Sequence, residues 1–159
     1  MTTRNKTVLI VDDESGQRAW MRGILRRQGY AVLEAADYTE GLALKSCRDP
    51  NIDLFVIDLR LPGGSGYDLS KELLAAHPSS KILFVSGTTG AEQCKYFPTP
   101  LPAVQFLHKP FEAAQLAARV REIFQPTPEP LAITASMTPH NKAPTVGVTT
   151  GSHKRQGKC

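Results

Sequence analysis

Three carboxylates, one hydroxyl and one amine carry the chemistry that this sequence is equipped to perform. Asp12 and Asp13 follow the apolar run Thr7–Val11, Asp58 follows Leu54–Ile57, Ser86 follows Ile82–Val85, and Lys109 stands just beyond Val104–Leu107. Each run is rich in Val, Ile, Leu or Phe and reads as a short strand buried on both faces. In a parallel sheet, polar groups at such strand ends converge on one crevice. Carboxylates packed together repel, and a divalent cation relieves the repulsion. Oxygen donors with room for water suit Mg²⁺ rather than zinc, which prefers nitrogen and sulfur. With part of the charge neutralised, one carboxylate can attack phosphorus and form an acyl phosphate. Positive charge and hydrogen-bond donors must then meet the phosphoryl oxygens. Lys109 supplies a point charge and Ser86 a hydroxyl.

The acceptor can be singled out. Asp12 and Asp13 are adjacent and cannot both point the same way at a strand end, so together they suit metal binding, one directly and the other through water. Asp58 stands alone and is followed by Leu59-Arg60-Leu61-Pro62-Gly63-Gly64-Ser65-Gly66. That Gly-rich turn leaves room for a phosphoryl group and lets backbone amides approach it. Asp58 is therefore the expected acceptor.

Helical patterns fall between the strands. Gln17, Trp20, Met21, Ile24 and Leu25 make one helix face, with Gly29 as its C-terminal cap. Thr39 is placed to cap a second helix reaching about Cys47. Tyr67–Ala76 reads as a third, stopped by Pro78. Ala113, Leu116, Ala117, Val120 and Ile123 mark a last one. Ala31–Glu34 fits an edge strand. A fourth helix starting near Thr89 must be short or irregular, because Pro98, Pro100 and Pro102 forbid its continuation. Five strands alternating with five helices imply an α/β, doubly wound five-stranded parallel sheet.

Composition sets bounds on the rest. The chain has 159 residues, 41% of them apolar and 21% charged, enough to bury a real core. Residues 1–124 carry 15 Lys+Arg against 14 Asp+Glu, so the net charge of +4 resides mostly in the tail. That balance excludes the dense basic face of a DNA-binding domain, and no direct nucleic-acid partner is expected. Arg22, Arg26 and Arg27 read as a solvated helix face. Residues 125–159 are rich in Pro, Thr, Ser and Gly and hold no aromatic residue, the composition of a disordered tail. No apolar stretch is long enough to cross a membrane and none forms a signal-peptide core, so no membrane insertion and a cytoplasmic location are expected. Cys47, Cys94 and Cys159 are odd in number and lack metal-ligand spacing, which argues against a disulfide framework or structural zinc.

At this point the chain resembles the receiver domain of two-component response regulators over residues 5–124. The resemblance rests on VLIVDDE, LFVIDLRLPGGSG, ILFVSGT and FLHKPF. The spacings also match, with 45 residues from Asp13 to Asp58, 28 to Ser86 and 23 more to Lys109. It implies a flavodoxin-like (βα)5 fold, Mg²⁺ held by Asp13 and Asp58 with Asp12 assisting, and the main-chain carbonyl of Arg60 as a further ligand. It implies that Ser86 and Lys109 contact the phosphoryl group, that the Lys109–Pro110 peptide is cis, and that Phe106 is an aromatic switch moving with Ser86. By the same resemblance, Arg60 and Thr88 occupy variable positions that tune dephosphorylation in that family. The implied partners are a histidine kinase or histidine phosphotransfer protein and a downstream target protein. The approach to FLHKPF is similar to receivers of hybrid histidine kinases, whereas the segment before it lacks the usual continuous helix, so the oligomeric state stays open. With only the polar tail following, a stand-alone receiver without a DNA-binding output domain is expected, with a fragment of a hybrid kinase as the alternative.

Two rivals remain. A phosphatase of the haloacid dehalogenase type also uses an aspartate nucleophile and Mg²⁺, but its DxDx[TV] motif is absent. The implied protein is therefore no metabolic enzyme. A pseudo-receiver binding module without phosphorylation is disfavoured by the intact acidic set. Singly, each residue has a plainer reading: an aspartate as a helix cap, Lys109 as a solvated charge, the glycines as a turn with no Walker lysine after them. Trp20 reads as core, His77 and His108 as structural, Cys47 and Cys94 as reduced thiols, and Phe106 as either switch or packing.

Overall fold

In the computed structural model, residues 4–48, 50–88, 95, 97 and 105–125 are described. The chain divides into two compact units, Met1–Pro126 and Thr127–Cys159, and every described residue belongs to the first. The expected disordered tail lies outside the described residues, apart from Gln125. So do Cys94, Cys159, and most of the irregular fourth helix and proline-rich loop.

Five parallel strands form the main sheet. They are β1 (Thr7–Val11), β2 (Ala31–Ala35), β3 (Leu54–Asp58), β6 (Lys81–Ser86) and β7 (Phe106–His108). Their spatial order is β2-β1-β3-β6-β7. This is the flavodoxin-like order, in which the chain starts in the middle and winds outward both ways. The last strand reaches His108, one residue beyond the expected run; Gln105 lies outside it, and Val104 lies outside the described residues. A two-stranded hairpin of β4 (Arg60–Leu61) and β5 (Gly64–Ser65) follows β3. It was expected only as a turn, since two-residue strands leave no periodic trace.

The strands alternate between two cores. Val8, Ile10, Leu54, Val56, Leu83, Val85 and Leu107 face one side. Met21, Ile24 and Leu25 of α1 (Ser15–Arg27) cover them, together with Leu116, Ala117 and Val120 of α4 (Ala113–Phe124). On the other side Leu9, Val11, Phe55, Ile57, Ile82 and Phe84 pack with Leu69 and Leu73 of α3 (Gly66–Ala76). Leu42 of α2 (Tyr38–Ala43) packs against that second core. Period-2 burial on both faces is what the continuous apolar runs require.

The helix ends follow local chemistry. Gly29, at φ +91°, closes α1. Its amide donates to the Arg26 carbonyl and that of Tyr30 to the Leu25 carbonyl, the paired bonds of a left-handed glycine cap. Thr39 does not cap α2. The Asp37 side chain accepts from the Glu40 amide at 2.8 Å, while the Glu40 carboxylate accepts from the Ala36 amide at 2.7 Å. This reciprocal arrangement sets the start two residues earlier, and α2 tightens into a 3₁₀ turn at Leu44–Ser46 rather than running to Cys47. Ser65 caps α3 by accepting from the Asp68 amide.

Trp20 is not core. It is 40% exposed, because Met21, Ile24 and Leu25 already fill the side of α1 that meets the sheet. Its ring lies against Phe111, with centroids 5.5 Å apart. His77 is buried, with Nε2 3.1 Å from the Lys45 carbonyl and its ring edge toward Phe55. Cys47 is in no disulfide, and its Sγ donates to the Pro50 carbonyl at 3.7 Å.

Leu83 lies fully buried on a central strand, so Leu83→Ala leaves a cavity the rigid sheet cannot close. Urea denaturation should show a loss of about 2–5 kcal/mol. A loss within the scatter of surface substitutions would show that the two-sided core is looser than described.

Candidate functional site

Strand parity places the charged groups before any contact is considered. Asp12 continues the alternation of Val8 and Ile10, Asp58 that of Leu54 and Val56, and Lys109 that of Leu107. All three therefore project to the side covered by α1 and α4. Ser86 continues the alternation of Ile82 and Phe84, toward the opposite side.

The contacts bear this out. The Lys109 ammonium donates to Asp12 Oδ2 and to Asp58 Oδ2, each at 2.7 Å. These three groups come from the ends of β1, β3 and the segment after β7. The Lys109 amide donates to the Ser86 carbonyl at 3.0 Å, which carries the β6–β7 pairing up to the site. The Lys109–Pro110 peptide is cis, as the resemblance implied. Burial works against the charge on Lys109, but its hydrogen bonds to Asp12 and Asp58, together with their negative charge, outweigh it and hold its pKa above the ordinary lysine value.

Asp12 is fully buried. Its Oδ1 accepts from the Glu14 amide at 2.9 Å, and its own amide donates to the Ala35 carbonyl at 3.2 Å. Asp58 Oδ1 accepts from the Arg60 amide at 2.9 Å. Asp13 is exposed and lines a cleft of about 410 Å³ with Leu59, Arg60, Leu61, Pro62, Gly64 and Ser65. Asp12, Asp13 and Asp58 each offer a carboxylate oxygen, all within 4.8 Å of one another. Three carboxylates against a single ammonium leave the cluster negative. Such hard oxygen donors beside an open cleft fit a hydrated Mg²⁺ ion.

Two sites depend on the absence of a side chain. A Cβ on Gly66 would lie 1.9 Å from the Asp58 carbonyl oxygen, and one on Gly64 would lie 2.6 Å from the Tyr38 ring. The start of α3 is thus pressed directly against the backbone of the expected acceptor. The Gly66 amide completes the contact by donating to the Leu59 carbonyl at 2.9 Å.

Ser86 is buried, and its Oγ accepts from the Thr88 amide at 3.2 Å. Phe106 is half-buried on the neighbouring strand, in register with Phe84. Its ring centroid lies 4.7 Å from that of His108. Ser86 and Phe106 therefore sit on the same side of adjacent strands, away from Lys109.

One side chain escaped the sequence reading. Arg18 Nη1 donates to the main-chain carbonyl of Asp12 at 2.7 Å. An arginine in the first half of an amphipathic helix carries no signal of its own, and only the fold shows what it reaches.

Two predictions follow from this geometry. Gly66→Ala should lower the thermal midpoint sharply and weaken Mg²⁺ binding. Gly23→Ala, in α1 with nothing near its added methyl, should stabilise by about 1 kcal/mol. Equal midpoints for the two variants would show that the Asp58 backbone yields freely. For Lys109, a folded-state pKa raised above the unfolded value means that its stabilisation is complete at neutral pH and lost only as pH climbs through the raised value. The stability difference between the parent and Lys109→Met should stay constant from about pH 7 to about pH 9 and shrink above roughly pH 10.4. A difference that fades near neutrality would refute the double hydrogen bond.

The model of the response regulator receiver domain family matches residues 8–121. The chain is 38% identical over 122 residues to the sensor kinase CckA of Brucella abortus (strain 2308), covering 75% of this chain and 12% of that protein. It is 32% identical over 118 residues to the transcriptional regulatory protein CpxR of Klebsiella pneumoniae subsp. pneumoniae, covering 74% and 49%. The chain thus spans less than half of the length of either relative. Among solved structures, a CheY-like response regulator receiver domain protein from Methanospirillum hungatei JF-1 aligns with a TM-score of 0.66 at 27% identity, covering 75% of this chain and 93% of that one. The receiver domain from the hybrid histidine kinase CckA aligns with a TM-score of 0.62 at 33% identity, covering 75% and 99%. A match that runs from the first strand into the last helix leaves one assignment: the chain belongs to the response regulator receiver domain family of two-component systems.

Proposed function

We propose that Asp58 accepts a phosphoryl group from the phosphohistidine of a histidine kinase or histidine phosphotransfer protein, in a Mg²⁺-dependent reaction, and that a downstream target protein reads the phosphorylated form. The observation that carries this reading is the Lys109 ammonium held between Asp12 and Asp58 at 2.7 Å from each. A cation so placed offsets part of the negative charge gathered around the Asp58 carboxylate. It also stands where a phosphoryl oxygen on Asp58 would need a partner.

The transfer balances simply. An oxygen of the Asp58 carboxylate forms a bond to phosphorus as the P–N bond to the donor imidazole breaks. The electron pair of that bond leaves with the imidazole, which takes up a proton. Asp12, Asp13 and Asp58, with the Arg60 carbonyl, are the groups that would hold Mg²⁺. When bound, the ion supplies positive charge beside the phosphoryl oxygens. Lys109 turns from Asp58 toward the phosphoryl group. For the Ser86 hydroxyl to turn the same way, its bond from the Thr88 amide must break. Phe106 shares that side of the sheet and can follow into the vacated space. The outcome is a population shift between two surfaces. On this reading the domain catalyses only its own modification and hydrolysis.

The similarity to CckA favours a second setting for the same chemistry, in which this receiver serves a hybrid histidine kinase. The chemistry at Asp58 is unchanged, and only the source of the phosphohistidine differs.

Incubation with acetyl phosphate and Mg²⁺ should add one phosphoryl group by intact mass. Asp58→Asn, or removal of Mg²⁺ with EDTA, should abolish it. Undiminished incorporation in Asp58→Asn would overturn the acceptor assignment. Failure of the parent to bind Mg²⁺ or beryllofluoride would favour a binding module that is never phosphorylated.

A further inference from the structure

Arg18 is placed to do more than solvate α1. Its Nη1 donates to the Asp12 main-chain carbonyl at 2.7 Å, and its side chain is mostly covered. Glu34 on β2 lies 3.9 Å from Arg18 Nε and accepts from Arg22 Nη1 at 2.7 Å. Arg18 is thus held over the end of β1 by a carboxylate on the neighbouring strand, which is itself held by a second arginine.

The carbonyl that Arg18 takes belongs to the peptide joining Asp12 to Asp13. It lies beyond β1, whose pairing with β2 ends at Val11 and Ala35, so it has no place in the strand ladder. The other polar atoms of Asp12 are satisfied by the Ala35 carbonyl, the Glu14 amide and Lys109. Among the described residues, Arg18 is the one hydrogen-bond donor to that peptide's carbonyl. The two carboxylates it joins point to different places, Asp12 toward Lys109 and Asp13 into the hairpin-side cleft. Rotation of this plane would change the separation of Asp13 from Asp58, and with it the fit to a small ion that demands near-ideal geometry.

We propose that Arg18 is a positioning residue for the Mg²⁺ site. It clamps the Asp12–Asp13 peptide so that both carboxylates stay within coordination reach of Asp58, with Glu34 and Arg22 holding Arg18 in place. This rests on the phosphoacceptor reading above and adds to it a residue that touches neither the ion nor the phosphoryl group.

The sign of the effect separates geometry from charge. Removing a cation near a Mg²⁺ site tightens binding by Coulomb's law. Loss of a clamp loosens it, and losing a group that orients a metal ligand typically weakens the site by roughly tenfold or more. Mg²⁺ affinity of the full chain, measured by calorimetry, should therefore fall roughly tenfold in Arg18→Gln despite the lost positive charge. Arg18→Lys, able to reach the carbonyl but not Glu34 as well, should lie between the two. Arg26→Gln, which removes a charge from an exposed position of the same helix and touches neither the carbonyl nor Glu34, should bind Mg²⁺ at least as tightly as the parent. Thermal midpoints without Mg²⁺ separate a positioning role from a structural one. A lowered midpoint with unchanged Mg²⁺ affinity overturns the proposal, as does tighter binding in Arg18→Gln. Should Arg18→Gln fail to fold, Arg18→Lys carries the comparison: weaker binding than the parent supports the clamp and equal binding overturns it. A parent that neither binds Mg²⁺ nor labels at Asp58 overturns the phosphoacceptor reading and this one with it. A parent that does both, with Arg18→Gln its equal, overturns the clamp alone.

Discussion

Mutual repulsion among carboxylates is the constraint around which the top of this sheet is organised. Asp12, Asp13 and Asp58 gather within reach of one ion, and Asp12 has no access to water. A buried anion without a partner is costly enough that it would take up a proton or pull the structure apart. Lys109 meets that demand from the far end of the chain, 97 residues after Asp12 and 51 after Asp58. The bridge cannot form until β1, β3 and β7 have taken their places. The cluster is then both a product of the fold and a check on its register. Slipping any of these strands by one residue would send its charged group to the wrong face.

Much of this was legible in the sequence because the sheet is buried on both sides. Runs such as Val8–Val11 and Leu54–Ile57 have one reading when helical periods separate them, and the polar residue after each run marks its end. The glycine cap at Gly29 and the proline stop at Pro78 were legible for the same local reasons. What escaped was set by tertiary contact or by competition among close candidates. Trp20 fits the period of α1 but falls outside the strip that the sheet can cover. Asp37 outcompetes Thr39 as a cap because Glu40 can answer it. The β4–β5 hairpin is too short for any periodicity. Arg18 belongs to the site only because α1 packs beside the exit of β1, and no spacing along the chain encodes that.

Asp58 is positioned by contacts of a different kind on each side. Below it, β3 pairs with β1 and β6 in the middle of the sheet, which fixes the backbone. Beside it, Gly66 closes to a distance that only hydrogen allows. In front of it, Lys109 and the Arg60 amide hold its two carboxylate oxygens. Asp58 has little freedom to wander, so the proposed transfer would require little further ordering of this side chain.

Asp12, Asp58 and Lys109 project to one side of the sheet, whereas Ser86 and Phe106 belong to the other. A chemical event at the acceptor and the ring that would announce it are therefore separated by the layer of strands itself. Among the described residues they meet at the rim, where the Lys109 amide donates to the Ser86 carbonyl. On the proposed reading, the Ser86 hydroxyl is the group that must turn that corner. If Asp58 is phosphorylated as proposed, the donor and any protein that senses the change can occupy different flanks of the domain without competing for the same ground.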